Sequence, residues 1–240
     1  MFSFFKSSAK KKHGPLTTDI HSHLLPGIDD GVKSLEESEE VILQFLKLGY
    51  TKCITTPHVM NDFYRNDPVI IMDKLNLLRD HLRKKNINMT VEAAAEYYLD
   101  ETLMQRITEN ESLLTFGRKY LLFETNFITE PFLLKDFIFK VTTQNYRPVL
   151  AHPERYQYMT MEKAEDLKDR GVLFQINIPS IVGYYSKPIQ HLAFKLIDKG
   201  WVNFLGSDCH NIQYTRILEE AQAHRYFKKA LELPLLNYTL

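Results

Sequence analysis

The stretch TTDIHSH at residues 17–23 joins a short run of β-branched and apolar residues to two histidines, His21 and His23. The run predicts a buried strand with the histidines at its carboxyl end. In an extended segment, side chains two positions apart lie on the same side, so both imidazoles can reach one cation. An isolated His-x-His is more often packed or surface histidine than a ligand pair, so its meaning depends on the rest of the chain.

Runs of the same kind recur along the chain, and stretches with helical periodicity separate them. One helix is predicted over residues 35–48, where apolar residues are spaced for one face and Ser34 is a candidate N-cap. This alternation predicts repeated βα units in a closed or nearly closed parallel α/β barrel, because no Gly-rich dinucleotide-binding turn follows the first strand. The seven candidate strands are residues 17–21, 53–56, 90–95, 120–124, 148–151, 173–178 and 202–207, and further helices are predicted over residues 68–85, 162–170 and 188–199.

The composition is that of an ordinary globular protein, with 44% hydrophobic residues in a chain of 240. We expect a single domain over residues 17–240, preceded by a flexible tail over residues 1–16. The 30 basic and 30 acidic side chains give a formal net charge of zero, which disfavours nucleic acid as a partner. No apolar run approaches the ~20 residues that span a bilayer, so an integral membrane protein is not expected.

The N-terminus and the cysteines predict a cytoplasmic protein. Phenylalanines precede lysines within residues 1–12, which inverts the order of a secretory signal peptide. Cys53 and Cys209 are the only cysteines in this long chain, a usage typical of a reducing compartment. We interpret both as buried thiols.

Metal-capable side chains stand at the carboxyl end of almost every candidate strand, where an α/β barrel gathers its active site. Only the sixth strand offers amides instead, Gln175 or Asn177. Random placement of 9 histidines would seldom give this pattern, so the constellation carries more weight than any single motif. The candidate ligands are His21, His23, Asp30, His58, Glu96, Glu124, His152, Asp208 and His210.

These ligands are too many for one tetrahedral ion, so two or three ions are predicted. Imidazoles and carboxylates without paired thiolates suit Mn, Fe, Zn or Co. Such ions lower the pKa of a bound water toward ~7 and hold substrate oxygens during in-line displacement. The residues therefore favour a metal-dependent phosphatase.

Two arginines, Arg155 and Arg216, follow the fifth and seventh candidate strands. A guanidinium forks onto two phosphate oxygens, so both are candidates to orient a phosphomonoester and to stabilise charge in its transition state. A single arginine in a loop is more often part of a solvent-facing salt bridge. The prediction therefore depends on the neighbouring candidate ligands, His152 and the Asp-x-His at residues 208–210.

Longer motifs around these residues resemble a known family. They are DIHSHLLPGIDDG at residues 19–31, TPH at 56–58, HPERY at 152–156 and SDCHN at 207–211. Together they resemble the PHP-family bacterial protein tyrosine phosphatases, which regulate capsular and extracellular polysaccharide synthesis. The resemblance implies a distorted (β/α)7 TIM-like barrel, the PHP fold, with a trinuclear metal site in which manganese is frequent.

The resemblance also implies roles for single residues and a partner. Arg155 matches the family's phosphate-binding arginine. Arg216 matches a second one, although Ile217-Leu218 replaces the expected Pro-Pro and the spacing from His210 is one residue longer. The substrate would be phosphotyrosine on a membrane-associated bacterial tyrosine kinase. One ion would take His21, His23 and Asp208, another Glu124 and His152, and a third Asp30, His58 and His210, with Glu96 as a bridge.

Phosphotyrosine suits this inventory of residues. A phenolate leaving group has a pKa near ~10 and needs less proton donation than an alkoxide. The Cys-x5-Arg phosphate loop is absent after Cys53 and after Cys209. We therefore predict hydrolysis by a metal-activated hydroxide without a cysteine nucleophile.

Three alternatives stay open. A PHP-type histidinol-phosphate phosphatase would use much the same ligands on an alkyl phosphate. A nuclease or polymerase-editing module is disfavoured by the neutral net charge and the lack of a basic stripe. A non-catalytic scaffold would keep the ligands and lose turnover. Among the aromatic residues, Tyr184 and Tyr185 in the loop at residues 183–185 are our preferred substrate contacts, although aromatic residues are more often packing.

Overall fold

The computed structural model describes residues 14–240, so most of the tail predicted over residues 1–16 lies outside the described residues. The strands within this range are β1 (Thr18–Asp19), β2 (Lys52–Thr55), β3 (His58–Val59), β4 (Thr90–Ala93), β5 (Glu96–Tyr98), β6 (Tyr120–Glu124), β7 (Arg147–Ala151), β8 (Leu173–Asn177) and β9 (Phe204–Gly206). The α-helices are α1 (Leu35–Lys47), α2 (Pro68–Lys84), α3 (Glu101–Thr108), α4 (Leu134–Thr143), α5 (Met161–Asp169), α6 (Ile178–Ile181), α7 (Lys187–Lys199), α8 (Ile212–Ala223) and α9 (Arg225–Leu231). Short 3-10 helices cover Pro153–Arg155 and Leu236–Thr239.

The strands pair in parallel, in two sheets with the orders β1-β2-β4 and β3-β5-β6-β7-β8-β9. Each predicted run contains a strand, and two short strands that were not predicted, β3 and β5, lie just beyond the second and third runs. The dipeptide Thr56-Pro57 separates β2 from β3, and Ala94-Ala95 separates β4 from β5. Because proline has no N–H to donate to a ladder, Pro57 accounts for the first break. β2 and β4 pair in the smaller sheet, whereas β3 and β5 pair in the larger one.

The segments that follow β1 and β9 pair with each other, and these two strands are the edges of the two sheets. Ser22 and Cys209 form a parallel bridge. The N–H of His23 donates to the carbonyl of Cys209 at 2.9 Å, and the N–H of Asp208 donates to the carbonyl of His21 at 2.7 Å. The chain is therefore an α/β fold whose parallel strands curl toward a barrel.

Two clusters of buried apolar residues stabilise this arrangement. The larger one includes Leu121 and Phe123 of β6 together with the buried faces of the helices. The smaller one, which we call the apolar layer, contains the residues that alternate with them along the strands. Its members are Ile20, Ile54, Ala94, Phe116, Tyr120, Leu122, Val149, Ala151 and Phe204. Since strand side chains alternate with a period of two, Glu124 lies on the same side of β6 as Leu122, just beyond the apolar layer.

The helices predicted from apolar periodicity are confirmed with shifts of one residue at their ends. Ser34 caps α1 by accepting from the N–H of Glu37 at 3.2 Å, and Gly200 ends α7 with a φ of +68°. The sequence patterns did not predict α3, α4, α8 or α9, and α4 begins without a side-chain cap. Within residues 14–240, no helix is both long enough and apolar enough to cross a membrane.

Candidate metal centre

All the predicted metal ligands converge at the carboxyl ends of the strands. They form four overlapping groups, and within each group the candidate ligand atoms lie within 4.8 Å of one another. The groups are His23, Asp30, His58 and His210; His21, His23 and Asp208; His21, Glu96 and His152; and His58, Glu96 and Glu124. Residues far apart in the sequence therefore surround one charged centre.

Glu96 lies at the middle of this cluster. Its side chain is fully buried, and its Oε2 lies 3.0 Å from Nε2 of His21 and 3.3 Å from Nδ1 of His58. Its Oε1 lies 3.2 Å from Nε2 of His152. A carboxylate whose two oxygens face three imidazoles is placed to bridge two cations.

Hydrogen-bond acceptors outside the cluster orient two of its imidazoles through their Nδ1 atoms. Nδ1 of His21 lies 2.8 Å from Oε1 of Gln175, and Nδ1 of His23 lies 2.8 Å from Oδ2 of Asp29. Such acceptors keep the ring proton on Nδ1 and leave Nε2 available to a cation. Asp29 was not among the candidate ligands predicted from the sequence, although its place in the DDG motif at residues 29–31 was a signal for it.

Several buried polar atoms of the cluster have no hydrogen-bond partner in the described part of the chain. They are Nε2 of His23, Nδ1 of His58, Oε1 of Glu96 and Nδ1 of His152. The approach of Glu96 Oε1 to His152 lacks the geometry of a hydrogen bond. Buried polar atoms without partners are costly, and a cation would satisfy such atoms where they face the cluster. The residues present therefore fit a metal centre.

The carboxylates and imidazoles of the cluster stabilise each other's charged forms. Burial alone would lower the pKa of His21, but Glu96 and Asp208 more than offset it and raise that pKa to about 9. Burial alone would raise the pKa of Asp208, but the neighbouring His21 and His23 hold it well below its ordinary value. The buried carboxylates thus favour positive charge beside them, carried either by protons on the imidazoles or by metal ions.

The backbone around the cluster is tightly constrained. A Cβ on Gly31 would lie 2.1 Å from the carbonyl oxygen of His23, and a Cβ on Gly206 would lie 2.7 Å from Cβ of His21. Two of the ligands have left-handed backbone, with a φ of +34° at His152 and +51° at Asp208. A residue other than glycine in this region costs on the order of 1–3 kcal/mol, and such strain is concentrated at functional sites.

Arg155 lies at the cluster, whereas Arg216 does not. The 3-10 helix Pro153–Arg155 places the guanidinium of Arg155 where it donates to Oδ2 of Asp208 at 2.9 Å. Both residues line a cavity of about 390 Å³ that opens onto the candidate ligands. Arg216 is exposed on α8 and lines a different cavity, beside Glu40 of α1. The structure thus brings the first predicted phosphate-binding arginine to the ligands, but not the second.

The two thiols take no part in the cavity. Cys53 and Cys209 are buried and form no disulfide, as predicted. Burial, the largest influence on each, raises the pKa of both thiols well above the ordinary value. A reactive cysteine needs a lowered pKa and access to solvent, so neither thiol has the environment of a nucleophile.

Residues 17–234 match the family described as "Capsular polysaccharide synthesis, CpsB/CapC". The chain belongs to the CpsB/CapC family. This confirms the resemblance predicted from the histidine motifs. Within the CpsB/CapC family, CapC of Staphylococcus aureus is 30% identical over 196 residues, which are 81% of this chain and 77% of that protein. The tyrosine-protein phosphatase YwqE of Bacillus subtilis (strain 168) is 28% identical over 222 residues, or 91% of this chain and 87% of that protein.

Solved structures support the same assignment. A chain from the crystal structures of YwqE from Bacillus subtilis and CpsB from Streptococcus pneumoniae, described as unique metal-dependent tyrosine phosphatases, has a TM-score of 0.78 at 27% identity over 85% of both chains. The histidinol phosphate phosphatase of Lactococcus lactis has a TM-score of 0.50 at 12% identity, over 87% of this chain and 94% of that chain. The second likeness concerns the fold alone, so histidinol phosphate phosphatases are distant neighbours of this CpsB/CapC-family chain.

Proposed function

We propose that this chain is a metal-dependent protein tyrosine phosphatase that hydrolyses phosphotyrosine without a cysteine nucleophile. The observation that carries the proposal is the convergence of every predicted metal ligand on one cluster beside Arg155. The family supports it, since the relatives YwqE and CpsB bear the name tyrosine-protein phosphatase. The absence of an activated thiol among the described cysteines agrees with a metal-dependent route.

The cluster is proposed to hold two or three metal ions, with manganese first and iron, zinc or cobalt as alternatives. One ion would lie among His21, His23 and Asp208, one among Asp30, His58 and His210, and one beside Glu124 and His152, with Glu96 as a bridge. Two of the four groups of neighbouring candidate ligand atoms support the first two sites. The third is supported by Nε2 of His152, which lies 3.9 Å from Oε2 of Glu124 and 3.2 Å from Oε1 of Glu96. When bound, such ions supply a hydroxide nucleophile at neutral pH and neutralise charge on the phosphoryl oxygens.

The chain's own residues orient the phosphate. A guanidinium has five N–H donors, and the bond from Arg155 to Asp208 uses one of them. We propose that the remaining donors of Arg155 bind two phosphoryl oxygens and stabilise the negative charge that they carry in the transition state. Asn177 donates to the same Oδ2 of Asp208 at 2.6 Å, which fixes the carboxylate against which Arg155 is held. Arg216 lines a different cavity, so its predicted role as a second phosphate-binding residue is not part of this proposal.

The fold and the setting complete the proposal. When β2 with β3, and β4 with β5, are each counted as one strand unit, the strands give seven units. This count supports a distorted (β/α)7 barrel of the PHP type. Residues 17–240 would form one phosphatase domain. The family's description names capsular polysaccharide synthesis. The substrate would be phosphotyrosine on a membrane-associated bacterial tyrosine kinase of that process, which this protein would meet in the cytoplasm.

The deciding experiment is hydrolysis of a phosphotyrosine peptide by purified protein of known metal content, with Mn²⁺ added or removed. We expect metal-dependent turnover in the wild type and none in the double variant His21→Ala, His23→Ala. Replacing Cys53 and Cys209 by serine is the matched control, and turnover should change less than about twofold because neither thiol reaches the cavity. Loss of turnover in the serine variant with its metals still bound would contradict the mechanism.

The same assay separates the rival activities. A histidinol-phosphate phosphatase would strongly prefer histidinol phosphate over the phosphotyrosine peptide at equal enzyme concentration. A scaffold would bind its metals and turn over neither substrate. Either result would overturn the proposed function.

A further inference from the structure

An arc of aromatic side chains borders the cavity on its solvent side. Phe127 and Tyr184 line the cavity and are 36% and 50% exposed, whereas the candidate ligands Glu124, His152 and Asp208, which also line it, are buried. Asp30, another candidate ligand that lines the cavity, is exposed. Tyr184 packs against Tyr214, which also lines the cavity, with ring centroids 5.6 Å apart. We call Phe127, Tyr184 and Tyr214 the aromatic rim. The cavity therefore has a charged inner end and an aromatic outer end.

The rim is assembled from three separate parts of the chain. Phe127 follows β6, Tyr184 follows α6, and Tyr214 lies in α8. Tyr214 packs against the larger apolar cluster, and the ring of Phe127 lies 5.5 Å from that of Tyr156, a buried member of this cluster. Tyr184 is not among the described side chains that pack against either cluster. Large rings that stay partly exposed where they line a cavity are typical of a binding site.

The ring of Phe127 contacts a candidate metal ligand and also Tyr156 of the larger apolar cluster. The Phe127 ring stacks on the imidazole of His152, with centroids 5.6 Å apart and planes at 21°. Tyr184 is supported in turn by Tyr185, whose ring centroid lies 5.1 Å away. Phe127 and Tyr184 are thus held in place beside the position where a phosphate would meet Arg155.

We propose that Phe127 and Tyr184 form the subsite for the aromatic ring of an aryl phosphate and thereby set a preference for phosphotyrosine over alkyl phosphates. This inference rests on the proposed function. Aromatic rings attract each other in offset-stacked or edge-to-face arrangements with centroids about 4.5–7 Å apart, so a substrate ring in this cavity can pack against the exposed faces of Phe127 and Tyr184. The phosphoryl group would be drawn to Arg155 and to ions held by the cluster, and the ring that it carries would extend toward these exposed aromatic surfaces. An alkyl phosphate leaves those surfaces in water.

Phe127 has a second neighbour that any test must take into account. The Arg155 guanidinium carbon lies 4.7 Å from the ring centroid of Phe127 and 4.4 Å from that of Tyr185. Loss of the Phe127 ring can therefore weaken phosphate binding by releasing Arg155. Tyr184 contacts the neighbouring tyrosines, so its variants report on ring recognition more directly.

The test compares two inhibitors that differ in the ring, phenylphosphonate and methylphosphonate. Their dissociation constants are measured by equilibrium titration of the metal-loaded protein. We expect wild type to bind phenylphosphonate about tenfold or more tightly than methylphosphonate. Tyr184→Ala and Phe127→Leu should each reduce this ratio about three- to tenfold, and Tyr184→Phe and Phe127→Tyr should keep it, since they keep the ring.

A matched control comes from the same loop. Phe132 is 99% exposed and does not line the cavity, so Phe132→Ala should leave the ratio within twofold of wild type. In turnover assays, Tyr184→Ala should raise KM for a phosphotyrosine peptide about three- to tenfold with kcat changed less than twofold.

Two outcomes would overturn the rim proposal. One is equal binding of both phosphonates by wild type. The other is an equal loss of affinity for both phosphonates in Tyr184→Ala and Phe127→Leu, which would assign these rings to the positioning of Arg155. Because the titration needs no turnover, failure of the proposed function appears separately, as metal-loaded protein that hydrolyses no phosphomonoester.

Discussion

The apolar layer and the cluster of candidate metal ligands are built on the same strands, but their buried side chains find partners in different ways. Val149 and Phe204 of the apolar layer are fully buried among apolar neighbours and need nothing from outside the chain. Glu96, at the cluster, is buried just as fully, but its Oε1 has no hydrogen-bond partner in the described residues. The apolar layer therefore needs no further partner, whereas the carboxyl ends of the strands keep buried polar atoms that a cation would satisfy.

Metal removal should have the largest effect, because it strips the cluster and leaves the apolar layer intact. A chelator should reduce turnover on the order of 1,000-fold or more, since metal ions contribute several kcal/mol to phosphoryl transfer. It should also lower the melting temperature by about 5–10 °C, because ligands bound only by the folded state stabilise it. Differential scanning calorimetry and metal analysis check this. The variant His21→Ala, His23→Ala should show no comparable gain when Mn²⁺ is added.

A substitution in the apolar layer should show the opposite pattern. Phe204→Ala should cost about 3–5 kcal/mol of the free energy of unfolding, because it removes a fully buried ring from between Phe116 and Tyr120. Urea titration measures the loss, and the fraction that stays folded should retain its metals. As a control, Phe139→Ala on the exposed face of α4 should change stability by no more than about 0.5 kcal/mol. Loss of metal without loss of stability in Phe204→Ala would break the separation between the layers.

The two arginines test how far the cluster extends. Arg155→Ala should lower kcat/KM about 100-fold, the scale expected for loss of a group that stabilises transition-state charge. Arg216→Ala should lie within about threefold of wild type, because Arg216 lines the cavity beside Glu40 instead. Steady-state kinetics with a phosphotyrosine peptide decide it. A large loss in Arg216→Ala would mean that α8 moves toward the site when substrate binds.

The smallest expected effect comes from the acceptor behind His23. Asp29→Ala should weaken metal affinity about 10- to 100-fold, the usual cost of losing a group that orients a metal-binding imidazole. Asp29→Asn should cost less, because its amide oxygen can still accept from Nδ1 of His23. Competition with a metal-binding dye measures both. Equal affinity in all three proteins would show that Asp29 acts only through the backbone N–H groups of Gly31 and His58, which donate to its carboxylate.

The sequence predicted the convergence of the candidate ligands better than it predicted the sheet. Most of these residues were visible because they follow a short apolar run, and parallel strands gather their carboxyl ends. The short strands β3 and β5 were less visible, since pairing partners depend on tertiary contacts that no single run encodes. Arg216 shows the same limit within a helix. Tyr214 faces the cavity, and two further residues turn a helix by about 200°, which carries Arg216 to another side of α8.

The position of Phe127 at the cavity could not be predicted from the sequence either. Tyr184 was expected at the substrate on the basis of a guess about its loop, and the structure places it at the cavity. Phe127 carries no motif of its own. Its proposed role in binding the substrate ring follows from its stacking on His152, a contact between two loops that only the folded chain reveals.

The pairing of the segments after β1 and β9 determines when the metal cluster can form during translation. Asp19 and Ser207, which are hydrogen-bonded at 2.7 Å, lie 188 positions apart in the sequence. His21 and His23 therefore leave the ribosome long before Asp208 and His210. The four residues can come together only after the C-terminal part of the chain has been synthesised. A ribosome-bound fragment that stops short of β9 would expose an unfinished set of ligands. Metal loading is thus expected to coincide with chain completion, so a premature stop near the end would remove metal retention before it removed most of the fold.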